Sequence, residues 1–167
     1  MSGKQPFAPD RTEGFSSELA RLLRERAPDL VAEAVATLSE ARLEHYEAAG
    51  PPTVRQRLTA LLETTLSCLA AGEAEAIIAH ATRVAHERFA AGYDLLEVQT
   101  SMNVMEEVLW RRILSLVAPA EVARALGLVS TLLSVGKDAL ARTYVSLAAG
   151  STARPSTDRG DGGSAEE

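Results

Sequence analysis

The chain has 167 residues, of which 46% are hydrophobic and 4% aromatic, and this fits a single all-helical domain large enough to bury a core. A net charge of −6 without a basic stripe argues against nucleic acid as a partner, because phosphate binding needs clustered Lys and Arg, and it gives no reason to expect attraction to an anionic membrane surface. The single cysteine, Cys68, excludes an internal disulfide and a cysteine-based metal site.

Three regions follow one another along the chain. Residues 1–14 are rich in proline, glycine and charge, which predicts a flexible lead-in. Residues 15–149 carry apolar side chains at helical spacing, and we expect a helical domain of five or six helices there, packed as a bundle or in a globin-like manner. Residues 150–167 have almost no apolar side chain, which predicts a disordered tail. Neither a signal peptide nor a membrane span is predicted, so we expect a cytoplasmic protein.

Proline and glycine mark the predicted helix boundaries. The breaks fall at Pro28, at the sequence AAGPP, and at Gly72, Gly92 and Pro119. The second helix is predicted to run without interruption from Pro28 to AAGPP, which places His45 near the end of its apolar stripe.

The stretch HERFAAGYDLLEV, residues 86–98, predicts a sharp corner between the fourth and fifth helices. Gly92 ends the fourth helix, and Asp94 is a suitable N-cap for the fifth. Glu97 follows three residues after Asp94, which is the spacing of a capping box. Within the same stretch, Arg88 falls in the stripe that should be buried, where a guanidinium is costly unless it is paired or reaches solvent.

Two interpretations of Arg88 remain open at this point. In the first, Arg88 is a structural clamp: it bridges to Glu97 or to free carbonyls at the helix end and, with Gly92 and Asp94, fixes the angle between the two helices. In the second, Arg88 binds a ligand. We favour the clamp.

The search for catalytic chemistry finds no enzyme motif, so we expect no catalytic residues. His80 and His86 are six residues apart and face different sides of one helix, so they cannot hold one metal ion together, and we expect no metal site. Haem is a weaker alternative, since His45 and His86 lie in or near an apolar stripe from which a proximal ligand could project. Phosphotransfer through an exposed His80 or His86 is a further alternative.

The fifth and sixth helices carry more apolar surface than one face of a bundle requires. Trp110, the sole tryptophan, suits an interface anchor, and several apolar residues fall outside the main stripes. We therefore predict a homodimer or partner interface, with burial of these helices on two sides as the alternative. The predicted interface residues are Leu96, Val104, Val108, Trp110, Leu128 and Val135.

Residues 88–113, RFAAGYDLLEVQTSMNVMEEVLWRRI, resemble a signature of the N-terminal sensor domains of bacterial stressosome co-antagonists of the RsbR and RsbRD type. The positions that match are Arg88, Gly92, Tyr93, Leu96, Glu97 and Trp110. The resemblance extends, with weaker motifs, over residues 16–148.

The resemblance implies a globin-like fold without haem, usually dimeric, that serves as the input module of a stress-signalling pathway. It also implies a regulatory partner such as an STAS-domain protein or a switch kinase. A polar tail follows the helices in this sequence, and three readings stay open: a stand-alone sensor, an adaptor that pairs with a longer relative, or a piece of a longer protein. The leading expectation is thus a non-enzymatic sensory module, with a haem- or small-molecule-binding sensor or a histidine phosphotransfer protein as alternatives.

Overall fold

A computed structural model describes residues 11–152 of the chain. This part is all-helical and contains no β-strand, which confirms the predicted all-helical class. It has seven α-helices, one more than the largest number predicted, and a 3-10 turn, Pro119–Glu121, before the last of them. The α-helices are α1 Arg11–Arg24, α2 Ala27–Glu40, α3 Glu44–Ala49, α4 Pro51–Ala71, α5 Glu75–Ala90, α6 Leu95–Leu116 and α7 Val122–Thr152.

The additional helix arises from a break that has no proline or glycine. Arg42 adopts a left-handed backbone conformation with φ of +50°, which ends the path of α2 and lets the short α3 begin in a new direction. His45 therefore lies in the first turn of α3 and not on the stripe of α2. The prediction of one continuous helix from Pro28 to AAGPP was wrong, because arginine gives no signal of positive φ.

The two ends of the domain also differ from prediction. Helix α1 begins at Arg11, so residues 11–14 are helical although they were assigned to the flexible lead-in. Helix α7 continues to Thr152, three residues into the predicted tail of residues 150–167. Charged and small residues without an apolar stripe can extend a helix that is already nucleated, since elongation costs far less than initiation. The rest of both predicted segments lies outside the described residues.

Helix α4 lies at the centre of the packing. It contacts all six other α-helices, and its buried side chains form one broad face. Beside α4, helix α7 packs against both α5 and α6, and α2 packs against both α4 and α6. Such a face consists of residues that recur every three or four positions along an amphipathic helix. On α4 these are Val54, Leu58, Leu61, Leu62, Leu66, Cys68 and Leu69.

A close approach between helices explains one glycine in the middle of α7. A Cβ atom at Gly136 would lie 2.9 Å from the Cε atom of Met102 on α6 and 3.0 Å from the Cγ1 atom of Ile77 on α5. Glycine lowers helix propensity but permits this close contact of three helices.

None of the described helices combines the length and apolar character that crossing a bilayer requires.

Candidate functional site

The corner between α5 and α6, residues 88–97, has the local geometry that its sequence predicts. Gly92 has φ of +82°, and the amide of Tyr93 donates to the carbonyl of Arg88 at 2.9 Å, as in a Schellman ending. The Asp94 side chain accepts from the amide of Leu96 at 3.0 Å, while Glu97 accepts from the amide of Asp94 at 3.2 Å. The predicted capping box is therefore confirmed.

Glu97 has a partner that the sequence did not indicate. Its carboxylate accepts a hydrogen bond from the backbone N–H of His45 at 3.2 Å, and its Oε2 atom lies 2.7 Å from Nδ1 of the same histidine. The Glu97 side chain is 12% exposed, so this contact is largely shielded from solvent. The predicted bridge from Arg88 to Glu97 is not formed in the described part of the chain. The physical reason is the break at Arg42, which brings α3 and His45 up to the corner.

Tyr93 joins the corner to three more helices. Its hydroxyl accepts from Nη1 of Arg57 on α4 at 2.7 Å and donates to the carbonyl oxygen of His45 on α3 at 3.1 Å. Its ring stacks at 4.6 Å from the His45 ring and meets the Tyr46 ring edge-on at 5.5 Å. On α7, the hydroxyl of Tyr144 donates to the carbonyl of Tyr93 at 3.4 Å. Burial raises the pKa of Tyr144 to about 12, so this hydroxyl keeps its proton.

Arg88 contacts the ring of Tyr93 with its side chain and lines a cavity. Its side chain is 12% exposed, and its Nη1 atom lies 3.6 Å from the carboxylate of Glu87. The centre of its guanidinium lies 5.6 Å from the centroid of the Tyr93 ring, a cation–π distance. The Nε atom is buried and has no hydrogen-bond partner among the described residues. The predicted contact between Arg88 and Glu97 is thus replaced by contacts among Glu97, His45 and Tyr93, and Arg88 adds its contact with the Tyr93 ring.

The cavity has a volume of about 360 Å³ and lies between α4, α5 and α6, with Tyr46 and Leu140 completing its wall. The basic residues among its lining are Arg57, Arg83 and Arg88. Its apolar side includes Leu58, Leu61, Ala81, Val84, Val98 and Met102.

His80 also faces this cavity. Burial, together with the positive charge of Arg83, lowers the pKa of its imidazole. Nδ1 of His80 lies 3.1 Å from Nη2 of Arg83, which donates, so Nδ1 acts as the acceptor. We conclude that His80 contributes a neutral ring to the cavity wall at neutral pH.

The three candidate histidines are in separate environments. His45 is tied to Glu97, His80 faces the cavity, and His86 is exposed on α5. Over residues 11–152, no group of three or more His, Cys, Asp or Glu side chains is placed to hold a metal ion.

The predicted interface residues divide into two groups. Val104 and Val108 are 7% and 0% exposed and belong to the core, because α6 packs against α2 on one side and α7 on the other. For these two residues the interface prediction is wrong, and the alternative of two-sided burial holds. Leu96 is 68% exposed and Trp110 42% exposed, while Leu128 and Val135 on α7 are half-buried.

Sequence reasoning missed two residues of the site. Arg57 was not singled out, and Tyr93 entered only as a position of the resemblance. A signal existed for Tyr93, because a buried tyrosine needs a partner for its hydroxyl.

Comparison of the chain with protein-family models, with curated proteins and with solved structures found no match.

Proposed function

We propose that this protein is a non-enzymatic sensory or regulatory module that acts as a homodimer in the cytoplasm and has a globin-like packing of its helices. The observation that carries the proposal is an exposed apolar face on α6. Leu96, Trp110 and Leu114 are 68%, 42% and 61% exposed. They lie on the same side of the helix, because their separations of 14 and four residues are close to whole turns. Trp110 and Leu114 are one turn apart and form an exposed apolar patch, whereas the exposed polar residues Asn103 and Glu107 separate Leu96 from them. An exposed apolar patch favours a partner surface.

The corner of residues 88–97 supports a signalling role for the same helix. Its contacts to α3, α4 and α7 are made by Glu97 and Tyr93, whose polar groups bond to specific partners. Such contacts have a limited number of arrangements, so a change in one partner can alter the position of α6 in a discrete step. The exposed apolar face lies on that helix and would move with it.

The resemblance of residues 88–113 to RsbR-type sensor domains supports the same reading. Of its positions, Tyr93 and Glu97 carry the contacts that hold the corner, whereas Leu96 and Trp110 lie on the exposed face of α6. On this basis we propose bacterial stress signalling as the process, and an STAS-domain protein or a switch kinase as the class of regulatory partner.

The dimer is testable by size-exclusion chromatography with light scattering. We expect a dimer at tens of micromolar, and we expect Trp110→Ala to raise its dissociation constant about tenfold or more, as truncation of a central aromatic anchor does. Val145→Ala is the matched control, since Val145 is a 66% exposed apolar residue on α7. A clean monomer at these concentrations would contradict the proposed function. A Trp110→Ala protein that dimerises as tightly as the wild type would remove this face of α6 from the interface.

A further inference from the structure

The cavity between α4, α5 and α6 has more positive charge than its own carboxylates neutralise. Three arginines line it, and Glu87 is the acidic residue among its lining side chains. That carboxylate is shared, because it lies 3.1 Å from Nη1 of Arg83 and 3.6 Å from Nη1 of Arg88. Two positive charges therefore remain on the cavity wall of a chain whose net charge is −6.

Arg57 is one source of this excess. No carboxylate lies within 4 Å of its guanidinium in the part of the chain that the structure describes. Its contacts are the hydroxyl of Tyr93 and the faces of two rings, at 5.4 Å from the Tyr93 centroid and 6.0 Å from the Tyr46 centroid. These contacts orient the guanidinium but leave its charge without a counter-ion.

Arg88 is the second source, and its side chain is 12% exposed. Its Nε–H is buried and donates to no hydrogen-bond acceptor among the described residues. Such a donor is unfavourable in a folded protein and calls for an explanation. A carboxylate is the group that best matches a guanidinium, because it accepts two parallel N–H bonds.

The remaining wall indicates what such a carboxylate is attached to. Leu61, Val84, Met102 and Leu140 provide an apolar surface on which a hydrocarbon chain or ring can be buried. The volume of about 360 Å³ is at the small end of the range for small-molecule pockets, about 300–1,000 Å³. Inorganic phosphate would meet the arginines but leave the apolar wall uncovered.

We propose that this cavity binds a small organic acid, with its carboxylate on Arg88 and Arg57 and its apolar body against α5 and α6. Arg57 also donates to Tyr93, so the bound acid contacts the network that holds the corner. This assignment is independent of the dimer, which is measured separately by light scattering, so either proposal can fail while the other stands.

The test is isothermal titration of the full chain with hexanoate and phenylacetate, each compared with its amide. We expect each acid to bind at least about tenfold more tightly than its amide, because the amide lacks the charge that strengthens the hydrogen bonds. Arg88→Gln and Arg57→Gln should each weaken acid binding about tenfold or more. Arg142→Gln is the matched control, since Arg142 is 81% exposed and pairs with Asp138. It should leave the affinity unchanged.

Three outcomes would overturn the assignment: neither acid binds more tightly than its amide, inorganic phosphate competes as well as the acids do, or the acids bind the Arg88→Gln protein with wild-type affinity. Circular dichroism checks that each variant is folded. If Arg88→Gln is not folded, Arg57→Gln decides the question, since unchanged acid binding in that variant contradicts a carboxylate site on these arginines.

Discussion

Replacement of Tyr93 by alanine is expected to lower the free energy of unfolding by about 3–5 kcal/mol, the usual loss for truncating a buried aromatic side chain. Tyr93 is 9% exposed, and its ring packs against those of His45 and Tyr46. The truncation also removes the hydroxyl that accepts from Arg57 and donates to the His45 carbonyl. Urea denaturation followed by circular dichroism measures the change.

Tyr93→Phe separates the two contributions. This variant keeps the ring and loses only the hydroxyl, so we expect a smaller loss of about 1–2 kcal/mol, typical of hydrogen bonds whose partners stay partly buried. If Tyr93→Ala lowered the free energy of unfolding by less than 1 kcal/mol, Tyr93 could not be the residue that joins the corner to α3 and α4.

Replacement of Glu97 by alanine is expected to lower the free energy of unfolding by about 2–3 kcal/mol. Its carboxylate accepts from Nδ1 and the backbone N–H of His45 and from the amide of Asp94, and all three donors lose their partner together. We place the loss below that for a fully buried ion pair, because the His45 side chain is 36% exposed and water can solvate it.

Glu107→Ala is the matched control for Glu97→Ala. Glu107 lies on the same helix, is 61% exposed and pairs with Arg111 one turn later. Its replacement should change the free energy of unfolding by no more than about 0.5 kcal/mol. Equal effects of the two substitutions would mean that Glu97 is only a surface residue of α6.

The sequence was sufficient for features that depend on neighbouring residues. The all-helical class follows from the apolar spacing, and the ending at Gly92 and the capping box of Asp94 and Glu97 depend on contacts within a few residues. Local hydrogen bonds of this kind are encoded by residue type and spacing alone.

The partner of Glu97 could not be predicted in this way. It lies 52 residues away, and it reaches the corner because the chain breaks at Arg42. A left-handed arginine is uncommon and has no sequence signal, so the apolar spacing predicts a stripe that continues to His45. Without α3 beside the corner, Arg88 was the cation nearest to Glu97 in the sequence, and the clamp was assigned to it.

The predicted interface residues show a second feature that residue type alone does not determine, which is whether an apolar side chain off the main stripe is buried or exposed. Apolar residues outside the main stripe of a helix indicate either a partner or burial on two sides, and residue type does not distinguish them. On α6 both occur: Val108 is in the core between α2 and α7, while Leu96 is exposed near the helix start. The cavity was also beyond prediction, since it needs Arg57 of α4 to lie opposite α5.

A pair of double-mutant cycles decides whether Glu97 is bound to His45 and independent of Arg88. We expect a coupling energy of about 1–2 kcal/mol between His45→Ala and Glu97→Ala in urea denaturation, because these residues share two hydrogen bonds. Arg88→Ala and Glu97→Ala should be additive to within about 0.5 kcal/mol. The reverse result, with Glu97 coupled to Arg88 and independent of His45, would contradict the contact of Glu97 with His45.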